Sequence, residues 1–289
     1  MPRGQVGGQT PTGGRIVTSG ERLLEVRDVS LRFGGVRALS NVSFHVEAGE
    51  LFSIIGPNGA GKTSMLNCIS GRYRPTEGDV LYKGGSLLKR SINDRARLGI
   101  GRTFQNLALF GHMSVLDNIL VGRHHRLKNN LFTGMAYWVG GARTEELAER
   151  RRVEEIIDFL EIQHVRGEPA GTLSYGLRKR VELARAMAIE PELILLDEPM
   201  AGMNLEEKED IARYVVALNQ EFGMTIVMIE HDMGVVMDLS DRVIVLDFGK
   251  VISAGTPDAV LADEHVKRAY LGEDDETLDA LAAETGEPA

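Results

Sequence analysis

Residues 51–70 read LFSIIGPNGAGKTSMLNCIS, and the rest of the 289-residue chain is organised around them. Leu51, Phe52, Ile54 and Ile55 form a strand-like apolar run broken only by Ser53. A loop follows, Gly56, Pro57, Asn58, Gly59, Ala60, Gly61, Lys62 and Thr63, and from Ser64 the chain turns helix-like with Met65, Leu66, Cys68 and Ile69. The loop fits G-x-x-x-x-G-K-[ST], the phosphate-binding P-loop. Glycines let backbone N–H groups turn inward around a polyphosphate, and the helix behind presents its positive end to the same oxygens. Lys62 is placed to reach the outer phosphates and the Thr63 hydroxyl to ligate Mg²⁺. A strand before and a helix after are the context this motif requires, so residues 56–64 are expected to hold a nucleotide.

Composition bounds the alternatives. A hydrophobic share of 43% and a charged share of 26% are ordinary for a globular chain, and the length suffices for a full core. The single cysteine, Cys68, excludes an internal disulfide framework and reads as a small buried residue. The net charge of −9 is uneven: Glu273 onward holds seven acidic residues and no Lys or Arg. The remaining body is nearly balanced, which argues against a nucleic-acid-binding surface. No apolar run approaches the ~20 residues that span a bilayer. Residues 131–139, LFTGMAYWV, come nearest and are too short, and the first twenty residues lack the apolar centre of a secretory signal.

Residues 1–20 are rich in Gly, Thr, Gln and Pro and are expected to be a disordered lead-in; residues 273–289 are expected to be a disordered acidic tail. Leu24, Val26, Val29, Leu31 and Phe33 alternate with one slip, and Val42, Phe44 and Val46 alternate cleanly, predicting antiparallel strands joined across Phe33-Gly34-Gly35. Asp79–Tyr82 reads as a further strand, and Ile100–Asn106 (IGRTFQN) as a short one ending in a polar turn. Beyond Ser114 the chain turns helical. Val153, Ile156, Ile157 and Leu160 recur at i, i+3, i+4 and i+7 within Glu145–Leu160. His124 and His125 lack Cys or carboxylate partners at metal-ligand spacing, and Trp138 reads as a packing or partner-contact residue.

Thr172-Leu173-Ser174-Tyr175-Gly176 is turn-like and leads into a strong helix over 177–188, placing Ser174 and Gly176 at an anion-binding amino end. The basic cluster Arg178-Lys179-Arg180 would ordinarily be a solvated face, although it follows directly on that anion-binding end. Leu193–Leu196 are four consecutive aliphatics, a strand buried on both faces, and they run into Asp197 and Glu198 where α/β sheets place ligands. There Asp197 is placed to hold Mg²⁺ through water and Glu198 to activate the attacking water. Thr225–Ile229 is another buried strand, and the His231 after it is either a phosphate sensor or a hydrogen-bonded structural residue. Val243–Leu246, the turn Asp247–Lys250 and Val251-Ile252 predict a terminal hairpin.

Over residues 21–272 this order of motifs resembles the ATP-binding subunits of ABC transporters. GPNGAGKT at 56–63 resembles Walker A, Gln105 in TFQN the Q-loop, LSYG at 173–176 the signature, LILLDEP at 193–199 Walker B, AGMN at 201–204 the D-loop and His231 the switch histidine. A kinase or GTPase lacks that set. The resemblance implies an α/β P-loop NTPase of ABC type, its mixed central sheet joined by an antiparallel β subdomain and a helical subdomain over about 107–185. It further implies a head-to-tail dimer with an identical or related ATPase, each ATP lying between one subunit's Walker A and the other's signature. Phe33, otherwise a core or edge aromatic, would then stack on adenine, and Ser174 and Gly176 would serve the partner's nucleotide. Gln105 would join Thr63 and Asp197 at Mg²⁺ and link that site to a transmembrane partner, while Glu198 would be the base and His231 would orient phosphate and water.

The stretches RTFQNLALFGHMSVLDNILVGRHH, LSYGLRKRVELARAMA and IEHDMGVVMDLSDRVIVLDFGK resemble more closely the G-type ATPase of the branched-chain amino-acid uptake group. That group implies two integral membrane permease subunits, indirectly a periplasmic solute-binding protein, and a peripheral place on the cytoplasmic face of the inner membrane. Leu177 and Asn204 depart from the wider family, which commonly has Gln and Asp there. Two alternatives stay open on the sequence: a soluble ABC ATPase acting on ribosomes or DNA, and an exporter ATPase of the lipopolysaccharide-transport type. The single cassette without a long heptad run weighs against the first.

Overall fold

The structure is a computed structural model that describes residues 20–103, 109–123 and 141–270. The lead-in before Gly20, Gln105, the two adjacent histidines, Trp138 and the acidic tail lie outside the described residues. The chain opens with β1 (Arg22–Phe33) and β2 (Val36–Glu47), an antiparallel hairpin turning on Gly34. The slip between Val26 and Val29 is a real irregularity. The ladder shifts register there, Asp28 takes a φ of 48°, and its N–H and carboxylate are both held by the Ser43 hydroxyl.

Strands β4 (Glu77–Tyr82) and β5 (Gly85–Ser86) complete an antiparallel sheet in the order β2-β1-β4-β5. The other sheet starts with β3 (Leu51–Ile55) and gathers β6 (Ile100–Arg102), β7 (Leu193–Asp197), β8 (Thr225–Ile229), β9 (Arg242–Asp247) and β10 (Lys250–Gly255). Its order is β10-β9-β3-β8-β7-β6, parallel except for the β9–β10 hairpin. The fold is thus α/β, a mixed central sheet flanked by an antiparallel β layer and a helical layer.

The unbroken apolar strands follow from this layering. In β7, Leu193 and Leu195 point into a core shared with the antiparallel sheet and α1 (Lys62–Ser70), while Ile194 and Leu196 point into a second core under the helices. In β8, Val227 and Ile229 face the first and Ile226 and Met228 the second. With both faces covered, alternation of polarity disappears.

The helical layer holds α3 (Val115–Arg123), α4 (Gly141–Phe159), α5 (Tyr175–Met187) and α6 (Leu205–Gln220). Val153, Ile156, Ile157 and Leu160 are buried in it as their spacing predicts. The basic cluster at 178–180 is not the solvated face its composition indicates. Lys179 is 5% exposed, and Arg180 pairs with Asp210 while donating to the Tyr214 hydroxyl at 3.1 Å. That hydroxyl in turn donates to the Leu160 carbonyl at 3.2 Å, so polar bonds fasten α5 and α6 to the end of α4.

Short α2 (Ile92–Arg97) begins with a Ser91–Asp94 capping box. It delivers Arg95, 4% exposed, to the carboxyl end of α1, where its guanidinium donates to the carbonyls of Cys68 (2.8 Å), Ile69 (2.6 Å) and Leu87 (2.7 Å). Cations suit a helix carboxyl end, and these carbonyls have no water to turn to. Replacing Arg95 by Ala is expected to lower stability by roughly 2–4 kcal/mol, read from the urea midpoint, because buried acceptors lose their donor. An unfolding free energy within about 0.5 kcal/mol of the parent would refute this capping role.

Candidate functional site

The carboxyl ends of β3, β8 and β7 lie side by side, with Ile54 opposite Ile229 and Ile229 opposite Asp197. Whatever follows each strand therefore meets at one edge: Gly56–Gly61 after β3, Glu230 and His231 after β8, and Glu198 after β7. The phosphate loop is held from outside by the β9–β10 turn. Gly249 N–H donates to the Ala60 carbonyl at 2.9 Å, and Ser40 N–H donates to the Gly249 carbonyl at 2.8 Å. Gly56 has a φ of 140°, and a Cβ there would lie 1.9 Å from the Leu246 carbonyl oxygen, so no other residue fits. Helix α1 starts on Gly61 without a side-chain cap, so its positive amino end faces the loop, where an anion is favoured. The Lys62 ammonium, 7% exposed, bonds the loop's own Gly56 and Pro57 carbonyls, the latter at 3.0 Å.

Asp197 is 1% exposed. Arg102 of β6 donates to its Oδ2 at 3.0 Å and also bonds Asn67 and Ser70 of α1, while Oδ1 is buried without a hydrogen-bond partner. Burial pushes the Asp197 carboxyl above the usual carboxylate range, against the pull of Arg102. Glu198 has a left-handed φ of 50°, its N–H donates to the Ile229 carbonyl at 2.9 Å, and its Oε1 lies 3.8 Å from Nδ1 of the exposed His231. Behind them Glu230 is 1% exposed and accepts from Met200 N–H at 2.8 Å and His231 N–H at 3.3 Å. Desolvation raises its pKa. Cys68 takes no part, because burial pushes its thiol up to about 12.

The remaining predicted residues are spread more widely. Phe33 is 46% exposed at the end of β1, its ring edge-on to Tyr73 at a centroid distance of 5.0 Å. Ser174 is the N-cap of α5, accepting from Leu177 N–H at 3.4 Å. Gly176 packs against Glu207 of α6, where a Cβ would fall 2.3 Å from Oε1. Asn204 forms a capping box with that same Glu207, so this departure from Asp keeps a good helix start. Leu177, the other departure, is part-buried against the helical core.

Sequence reasoning missed Arg102, Thr103 and Glu230. Thr103 Oγ1 accepts from Asp197 N–H at 3.3 Å. The overlooked signal was a charged residue inside the short strand Ile100–Arg102, together with a carboxylate directly after the fully buried β8.

A phosphate loop and paired carboxylates on one edge of a parallel sheet define a P-loop nucleoside triphosphatase. A profile of the ABC transporter family matches residues 39–201, and one of the branched-chain amino acid ATP-binding cassette transporter matches residues 250–276. The chain belongs to the ABC transporter family, as one of its ATP-binding cassettes. It is 39% identical to the high-affinity branched-chain amino acid transport ATP-binding protein LivG of Escherichia coli strain K12 over 251 residues, 87% of this chain and 98% of that protein. It is 38% identical to BraF of Pseudomonas aeruginosa over 254 residues, with the same coverage. Among solved structures, the ADP conformation of the cassette MJ1267 superposes with a TM-score of 0.76 at 31% identity, covering 87% of this chain and 99% of that one. The dimeric cassette MJ0796 gives 0.69 at 27% identity, covering 81% and 98%.

Proposed function

We propose that the chain is the ATP-hydrolysing subunit of a bacterial ABC importer, coupling ATP turnover at a dimer interface to uptake of branched-chain or related amino acids through separate membrane subunits. One observation carries this: the phosphate loop, Asp197, Glu198 and His231 converge on one sheet edge in a chain that spans nearly the whole of LivG and BraF. Those relatives are amino acid transport proteins by name, which disfavours both the ribosome or DNA alternative and the lipopolysaccharide exporter.

Lys62 and the first-turn amides of α1 would bind the phosphates of ATP, with Gly56–Gly61 shaping the cradle and the exposed face of Phe33 stacking on adenine. The donor set suits Mg²⁺: the Thr63 hydroxyl and the unpartnered Asp197 Oδ1, with Gln105 as a third residue outside the described ones. Mg²⁺, when bound, supplies charge neutralisation on the phosphates. Among the described residues no three His, Cys, Asp or Glu side chains gather as a metal cluster, and Mg²⁺ bound largely through phosphates and water needs none. Glu198 would take the proton of the attacking water as its oxygen bonds the γ-phosphorus and the bond to the departing ADP oxygen breaks, with His231 orienting water and phosphate. Ser174 and Gly176 would act across a head-to-tail interface on a partner cassette's nucleotide; dimerisation itself is supported by the dimeric MJ0796 cassette.

No helix among the described residues is long and apolar enough to cross a membrane, so the permease subunits would hold the chain at the cytoplasmic face of the inner membrane. Reconstituting the full chain with its membrane subunits and binding protein in vesicles tests the proposal. Leucine, isoleucine or valine should enter only with ATP, and ATPase activity should rise with solute. Co-purification with ribosomes, or uptake indifferent to ATP, would overturn it.

A further inference from the structure

Lys179 is a buried cation in a largely apolar place. It sits on α5 one turn beyond Tyr175, with its ammonium 5.9 Å from that ring, and it lines a small cavity whose walls are otherwise the apolar Leu183, Leu196, Pro199, Ile211 and Val215 together with Thr103 and the buried Glu182. A methionine would fill the same space without the cost of burying an ammonium. What the ammonium reaches is the main chain of Glu198, whose carbonyl accepts its hydrogen bond at 3.3 Å. Lys179 is also close enough to Asp197 to favour its ionised form.

Glu198 needs such a hold. A φ of 50° is sparsely populated and strained for any residue with a Cβ, and the following Pro199 restricts its backbone further. Its N–H is fixed by Ile229 of the neighbouring strand. The carbonyl is fixed from the other side, by a helix that starts with Ser174 and Tyr175. Tyr175 also lies against Gly202, four residues past Glu198, where a Cβ would come within 3.5 Å of its ring. One helix therefore touches both ends of the segment 198–202.

We propose that Lys179 is a positioning residue that ties the placement of the Ser174–Gly176 helix start to the main-chain geometry, and hence the aim, of Glu198. Because the helix start serves the partner's nucleotide and Glu198 its own, the bond couples the two sites of a dimer. The proposal rests on the assignments of Glu198 and Ser174 made above.

The test uses the full-length chain and the variants Lys179→Met, Lys179→Arg and Glu198→Gln. Lys179→Met is expected to lower kcat about ten- to a hundred-fold, the scale of a small misplacement of a reacting group, with ATP KM and fluorescent-nucleotide affinity within about two-fold of the parent. Lys179→Arg keeps a cation of similar reach and should recover kcat to within about three-fold. Combining Lys179→Met with Glu198→Gln should cost little beyond Glu198→Gln alone, since both act through one group. An unchanged kcat in Lys179→Met, or full additivity in the pair, overturns the coupling while leaving Glu198 as base. Loss of nucleotide affinity in step with kcat, unrescued by Arg, reduces Lys179 to a packing residue. Undiminished turnover by Glu198→Gln removes the base assignment and this proposal with it.

Discussion

Lys62→Ala is expected to bring ATP turnover down by at least about a thousand-fold and to raise the apparent Kd for ATP beyond ordinary cellular concentrations. The ammonium is the buried cation at the floor of the loop, bonded to the Gly56 and Pro57 carbonyls. Alanine removes both the positive charge that the outer phosphates would meet and the strap that draws the loop's two carbonyls together. The α1 amides remain, so weak binding of inorganic phosphate should survive where ATP affinity does not. The measurements are equilibrium binding of a fluorescent ATP analogue and steady-state phosphate release. Near-normal hydrolysis would sink the P-loop assignment.

Glu198→Gln is expected to act on a different step. The amide matches the carboxylate in size and leaves the left-handed backbone and its bonds to Ile229 and Lys179 in place, so ATP should bind as before. What is lost is a proton acceptor, a contribution of about 10²–10⁴ in rate. Turnover should fall by that factor while ATP-bound dimers accumulate, visible as a shift in size-exclusion elution that reverses when ATP is washed out. A variant that hydrolyses ATP at the parent rate would show that another group takes the proton. Lys62→Ala and Glu198→Gln thus separate binding from chemistry, and only the second should trap a dimer.

How much of this was legible beforehand depended on whether a residue's surroundings follow from its neighbours in sequence. Leu193–Leu196 and Thr225–Ile229 announced themselves because a strand covered on both faces has no polar positions to spare. Even the slip at Val26–Val29 carried information, since it marks where the β1–β2 ladder shifts. The P-loop was readable because its chemistry is written in consecutive residues.

Lys179 was misread as solvated because a charged helical position has an inside only once another layer is laid against it. Arg95 and Arg102 were passed over for the same reason: the bonds they make to α1 and β7 reach groups at least 26 residues away in sequence. Short α2 escaped because six residues carry too little periodicity, although its Ser91–Asp94 box was in plain view. Gly176 was read as a ligand-facing glycine, yet it also makes room for Glu207, a demand that no local pattern reveals.

The position of β3 between β8 and β9 bears on the order in which the molecule comes into being. Leu51 pairs with Ile226 and Phe52 with Arg242, and the loop after β3 takes its outer bond from Gly249. A chain growing on the ribosome therefore carries the complete GPNGAGKT motif long before it carries a phosphate site. Synthesis must pass the β9–β10 turn, and that turn must clear the exit tunnel, before the cradle has walls. Fragments ending short of residue 242 would have the motif and no pocket. ATP binding by the nascent chain would thus mark a finished sheet.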